Sequence, residues 1–218
     1  MKSATILFDE SGDLGWTFSA PYMQGGSSRF LSLFFLILPS CDTYKLRKPM
    51  KEIYTSRGID FKKVELKGGQ LYRHEKDRII KAAESLLATN PDIRGRLINI
   101  DKEKVLPHLH RDPNLLYNYA VKLAIIDDIV QHQNVVLMPD PRTIRVGALS
   151  IRDYLQTEAT YTRGSAAYIK LKEKPSNSEL ALQFTDCLVH WFWREHELGD
   201  DMGLHNLKPY IKIRNLFF

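Results

Sequence analysis

An α/β fold built on a mixed sheet is predicted by three features of the sequence. Apolar runs of strand length recur at residues 5–8, 29–38, 96–100, 134–138 and 166–171. Segments with helical apolar spacing alternate with them, which is the pattern of a partly parallel sheet. The early runs are expected to add antiparallel members, so that the sheet is mixed and flanked by helices.

The elements follow in order. Thr5–Phe8 reads as a first, central strand that ends in Asp9, and DESGDLGW then turns, with Gly12 and Gly15 as flexible points. Arg29–Leu38 reads as a fully buried strand stopped by Pro39. Asp42 is placed to cap a helix through about Tyr54, weakened in its middle by Pro49. Val64–Leu66 is a short apolar piece around Glu65, ended by Gly68-Gly69. His74–Leu87 carries Ile79, Ile80, Ala83, Leu86 and Leu87 at amphipathic helical spacing. Arg96–Ile100 alternates as a strand, and Asp112-Pro113 opens a helix that runs to about His132. Asn134–Met138 is a strand ending in Pro139-Asp140, Arg145–Leu155 is expected to be helical, and Ala166–Leu171 alternates as a strand. Ser178–Glu197 is a long apolar helix with Asp186 inside it, and the last residues, KIRNLFF, are expected to dock on the body of the protein or on a second copy.

The chain has 218 residues, 44% of them hydrophobic and 26% charged, enough for a sizeable core and unlike a disordered chain. No repeat or Gly/Ser/Pro-rich linker divides it, so a single domain over residues 1–218 is expected. The net charge of +5 suits a polyanionic partner such as nucleic acid, or is simply a basic, soluble surface. Cys41 and Cys187 are too few for a disulfide scaffold, which points to a reducing cytoplasm. The N-terminus does not read as a signal peptide, and the longest apolar run, Phe30–Leu38, is far too short to cross a bilayer. No membrane association is expected. No Walker loop, dinucleotide fingerprint or Gly-x-Ser-x-Gly elbow is present.

Candidate chemistry lies in acids. Asp9 and Asp140 each follow an apolar strand, and ligands of α/β sheets bind at the carboxyl ends of strands. Asp186 sits in an otherwise apolar helix and needs water or a partner, for which His190 is one turn away. Glu65 is flanked by apolar residues. Three or four carboxylates are a natural cradle for Mg²⁺ or Mn²⁺, and such an ion pair can cleave a phosphodiester. Alternatively, the acids after strands are turn residues or caps.

The segment ILFDESGDLG resembles the opening of a bacterial family catalogued as domain of unknown function thirty-eight hundred, in the ribonuclease H-like superfamily. Glu65-Leu66-Lys67 resembles its Glu-x-Lys element, Asp140 its later acid, and Leu182-Gln183-Phe184-Thr185-Asp186 its Leu-Gln-x-x-Asp helix. The order covers nearly the whole chain. Prolines flank Asp140, and Thr185 stands where the family carries Ala. The resemblance implies a ribonuclease H-like mixed sheet and a metal-dependent nuclease, with Asp9, Glu65, Asp140 and Asp186 as metal ligands. Asp9 would bridge two ions, with supporting roles for Glu10, Ser11, Gly12 and Lys67.

Lys67 either neutralises a phosphate or orients a water, or it is salt-bridged to Glu65. Ser11 and the Gly12 amide either bind phosphate or form a turn that needs glycine. Lys45, Arg47, Lys48, Lys51, Arg57, Lys62 and Lys63, with Tyr44, Tyr54 and Phe61 among them, form a candidate nucleic-acid grip or a solvated helix face with core aromatics. His108 and His110 have no further ligand at finger spacing, and Cys187 is expected to be packed rather than nucleophilic. The leading expectation is a metal-dependent phosphodiesterase acting on RNA or DNA. The rival is a non-catalytic nucleic-acid or protein binding module of the same fold, and the family suggests a place in phage defence for either.

Overall fold

The computed structural model describes residues 3–140 and 150–217. Among them, six strands form one sheet: β1 (Ser3–Ser11), β2 (Phe30–Pro39), β3 (Arg94–Asp101), β4 (Asn134–Pro139), β5 (Tyr168–Leu171) and β6 (Ile211–Leu216), in the order β5-β4-β1-β2-β3-β6. β1, β2 and β3 are antiparallel neighbours. β4 runs parallel to β1, β5 parallel to β4, and β6 parallel to β3. The sheet is therefore mixed, as its alternating and early segments lead one to expect.

Side-chain alternation along each strand divides the core. On one face Leu7, Phe34, Leu36 and Met138 pack under α1 (Thr43–Arg57), α2 (Arg73–Thr89) and α5 (Leu180–Glu197). On the other, Ile6, Phe8, Phe35 and Leu137 pack under α3 (Pro113–Ile129) and α4 (Ile151–Thr157). Helices therefore cover both faces of the mixed sheet. β2 is buried almost end to end, which explains its lack of polar alternation.

Several boundaries differ from the sequence reading for physical reasons. β1 runs on through Asp9 to Ser11, because pairing with β2 continues to Ser11↔Ser32. Asp112 caps α3 as expected, accepting from the Asn114 and Leu115 amides at 3.0 and 3.3 Å. Asp42 precedes α1 but makes no side-chain cap hydrogen bond. Pro49 is accommodated inside α1 and buried. The helix expected over Arg145–Leu155 is described from Ile151, with Ser150 as its cap; residues 141–149 lie outside the described residues. The C-terminal segment is a strand, β6, and Leu216 and Phe217 pack on the core beneath α3. Its polar residues escaped a strand reading because β6 is an edge, where one side needs no apolar cover.

Candidate active site

β1 carries Asp9 near its carboxyl end. Leu7 faces α5 and Phe8 faces α3, so Asp9 points toward α5 and Glu10 away from it. Asp9 is 6% exposed, and one of its oxygens accepts from the Glu10 amide at 2.8 Å. Burial, then the charges of Glu10 and Asp186, raise its pKa well above the usual carboxylate range, and Asp140 adds to the effect.

Asp186 projects from the middle of α5, whose neighbouring residues Thr185, Cys187 and Leu188 are buried. Burial raises its pKa to about 6; Lys67 opposes this, while Glu65 and Asp140 add to it. The partner expected from spacing, His190, does not supply the cation: its Nε2 is buried without a hydrogen-bond partner, and burial lowers its pKa. Lys67 does, with Nζ 3.9 Å from Asp186 and 2.5 Å from Glu65. Burial lowers the Lys67 pKa, but Asp186, Glu65 and Asp9 outweigh it and push it up to about 12. The salt bridge between Glu65 and Lys67 considered from sequence is thus present.

Two devices hold the Glu65–Lys67 segment against α5. The Tyr54 hydroxyl donates to Gln183 at 2.7 Å and accepts from the Leu66 amide at 2.8 Å. A β-carbon at Gly68 would stand 3.2 Å from the Cys187 α-carbon and 3.1 Å from His190, so glycine permits the close approach. The Gly68 amide in turn hydrogen-bonds to Asp186 and favours its ionised form, and the Gly68 carbonyl accepts from Trp191 at 3.3 Å.

Asp140 directly follows β4, beside β1, and its charge reaches both Asp9 and Asp186. The structure therefore brings Asp9, Glu65, Lys67, Asp140 and Asp186 together at one end of the sheet. It does not bring Glu10 to their side: that carboxylate accepts from the Tyr117 hydroxyl of α3 at 3.2 Å. Ser11 ends β1 opposite Ser32. Gly12 has φ +94°, and a β-carbon there would fall 2.4 Å from the Phe30 carbonyl oxygen, so this turn requires glycine.

The basic stretch disperses. Lys45 pairs with Asp42, Arg47 with Glu179 and Arg57 with Glu75, while Lys62 and Lys63 are exposed beyond α1. Tyr54 is buried and is no platform for bases. His110 stacks on Trp16 with ring centroids 3.9 Å apart, a packing role. Cys187 is buried, as expected.

Sequence reasoning missed the clamp behind the opening motif. Lys102 is fully buried and donates to the Asp13 and Gly15 carbonyls at 2.8 and 3.0 Å and to the Asp13 carboxylate at 3.1 Å. Asp13 also accepts from the Ser28 amide at 2.7 Å, which closes the loop after β1. One lysine in a run of charges (DKEK) gives no sequence signal of burial.

The donors fit a hard divalent cation in kind, being carboxylate oxygens, and one oxygen of Asp186 is buried with no hydrogen-bond partner. Among the described residues, however, no three acidic, histidine or cysteine side chains close on a common point. The Lys67 ammonium stands between Glu65 and Asp186 and supplies the positive charge there.

No family model matches the chain, and no curated protein matches it. Among the described residues no helix is long and apolar enough to cross a membrane. The chain is similar in architecture to RNase HII from Archaeoglobus fulgidus, solved in complex with PCNA, at 15% identity and a TM-score of 0.44, over 96% of this chain and 88% of that one. It is similar to ribonuclease H2 from Pyrococcus horikoshii OT3 at 12% identity and a TM-score of 0.47, over 90% and 74%. RNase H3 from Aquifex aeolicus aligns at 14% identity and a TM-score of 0.42, over 94% and 67%. These are distant likenesses of fold.

Proposed function

We propose that this chain is a divalent-metal-dependent nuclease, hydrolysing a phosphodiester of RNA or DNA, with Mg²⁺ or Mn²⁺ held by Asp9, Glu65, Asp140 and Asp186. The observation that carries the reading is the convergence of acids from β1, β4, α5 and the Glu65–Lys67 segment, with both Asp9 and Asp186 raised in pKa. Like charges gathered in a buried place are costly unless a cation joins them. The resemblance of the Asp-Glu-Ser-Gly, Glu-x-Lys and Leu-Gln-x-x-Asp elements to the thirty-eight hundred family supports the same assignment. When bound, a metal pair supplies an activated water and stabilises the leaving oxygen. Of the protein's own groups, Lys67 would neutralise a phosphate oxygen on releasing Glu65, and the Tyr54–Gln183 bond would keep the segment oriented. The test is incubation of labelled single- and double-stranded RNA and DNA with Mn²⁺. Cleavage by the wild type, lost in Asp9→Asn, is expected; cleavage that survives the substitution sinks the assignment.

A second reading is favoured by one observation. Lys67 already compensates Glu65 and Asp186, as it would in a non-catalytic binding module of this fold. Calorimetric titration with Mn²⁺ separates the two, since a module of that kind takes up no metal.

A further inference from the structure

We propose that the groove between α1 and the β4–β5 edge of the sheet binds the sugar–phosphate backbone of a single nucleic-acid strand and leads it to the acidic cluster. The inference rests on the nuclease reading for its destination, but the groove stands on its own observations.

The groove has a volume of about 370 Å³. Val136 and Met138 of β4 and Thr5 of β1 contribute to its floor. The lining includes Lys170, Lys172 and Lys174 along the β5 side and Arg47 on α1, and no acid. Glu179 bonds Arg47 and Lys174 from behind. That leaves Lys170 and Lys172, both exposed and with no ion pair among the described residues.

Strand register gives the groove its direction. Thr5, Val136 and Lys170 stand side by side across three strands. The next row holds Leu7 and Met138, with the Lys172 amide bonded to the Leu137 carbonyl. One pleat period further, about 6.6 Å along the strands, come Asp9 and Asp140. Lysines at every second residue therefore line a path on the same face as the carboxylates. Tyr168, 57% exposed, lies one period behind Lys170 on that face, with the Arg152 guanidinium 5.9 Å from its ring. A cationic groove is how proteins track the backbone of a single strand, and Tyr168, exposed beside the groove but outside its lining, offers a ring for base stacking once it leaves Arg152 of α4. None of these lysines, nor Tyr168, belongs to the basic stretch before Glu65.

The test is fluorescence anisotropy with a short labelled oligothymidine in EDTA, where no metal-dependent cleavage occurs. The double variant Lys170→Glu/Lys172→Glu is expected to bind at least about tenfold more weakly at low salt, with a log–log salt slope shallower by about 1.4 for two lost phosphate contacts. Tyr168→Ala is expected to weaken binding without changing that slope. Lys81→Glu, an exposed change on α2, reads the effect of net charge away from the groove at half the double variant's change in charge, and is expected to have under about a twofold effect. The proposal is overturned if the double variant behaves like Lys81→Glu, if the wild type does not bind, or if a duplex binds as tightly as the single strand. A wild type that binds through these lysines yet never cuts with Mn²⁺ retires the nuclease reading and leaves the groove. One that cuts normally after the double substitution does the reverse.

Discussion

Tyr54 and Gln183 are joined by a 2.7 Å hydrogen bond that ties α1 to α5, and the same tyrosine oxygen receives the Leu66 amide. A residue of the Leu-Gln-x-x-Asp helix is thereby linked to the centre of the Glu65–Lys67 segment, and two remote motifs become one support. Tyr54→Phe removes both bonds and leaves a buried amide and a buried amide oxygen without this partner. A loss of about 1–3 kcal/mol in urea unfolding is expected, with weaker Mn²⁺ binding in calorimetry.

The raised pKa of Asp186 sets a pH dependence of known sign. In the unfolded chain it ionises near 3.8, and in the fold near 6. Between these values the native state keeps a proton that the unfolded state has lost, so this group's contribution makes stability fall as pH rises from about 4 to 6 and then level off. Asp186→Asn is expected to flatten that fall and to be more stable than the wild type at pH 7, by on the order of 3 kcal/mol for two pKa units. Denaturant midpoints across about pH 4–7 check this. A variant less stable at neutral pH would count against a costly charge at this position.

On the proposed function, Lys67 competes for the acids that would hold the metal. Lys67→Met is expected to raise Mn²⁺ affinity by about tenfold in calorimetry, since the entering cation no longer displaces an ammonium. Cleavage is expected to drop in the same variant through loss of a phosphate-neutralising charge.

Gly68→Ala places a β-carbon 3.2 Å from the Cys187 α-carbon, part of a helix backbone that cannot easily yield. The segment must lift from α5. A destabilisation of about 1–3 kcal/mol is expected, together with a lower Lys67 pKa as Asp186 recedes, measurable by NMR titration of the lysine side chain.

Lys102→Met deletes the donor that holds the Asp13 and Gly15 carbonyls. Faster hydrogen exchange over residues 12–28 and a loss of about 1–3 kcal/mol are expected. Replacement by Arg is not expected to rescue it, because a planar guanidinium does not fit a fully buried ammonium site.

Local pattern by itself determined the class of the fold. Alternation and run length were enough for β1–β4, because buried strands leave unbroken apolar stretches, and Asp112-Pro113 marked α3 because capping is a local interaction. The order of Asp9, Glu65, Asp140 and Asp186 was equally visible in the chain. Only the tertiary structure decided which of their neighbours join them. Strand alternation turned Glu10 toward Tyr117, packing set Lys67 rather than His190 beside Asp186, and β6 and the lysines of β5 took their places by register. Such pairings depend on distances between residues far apart in the chain, and no local periodicity encodes those distances.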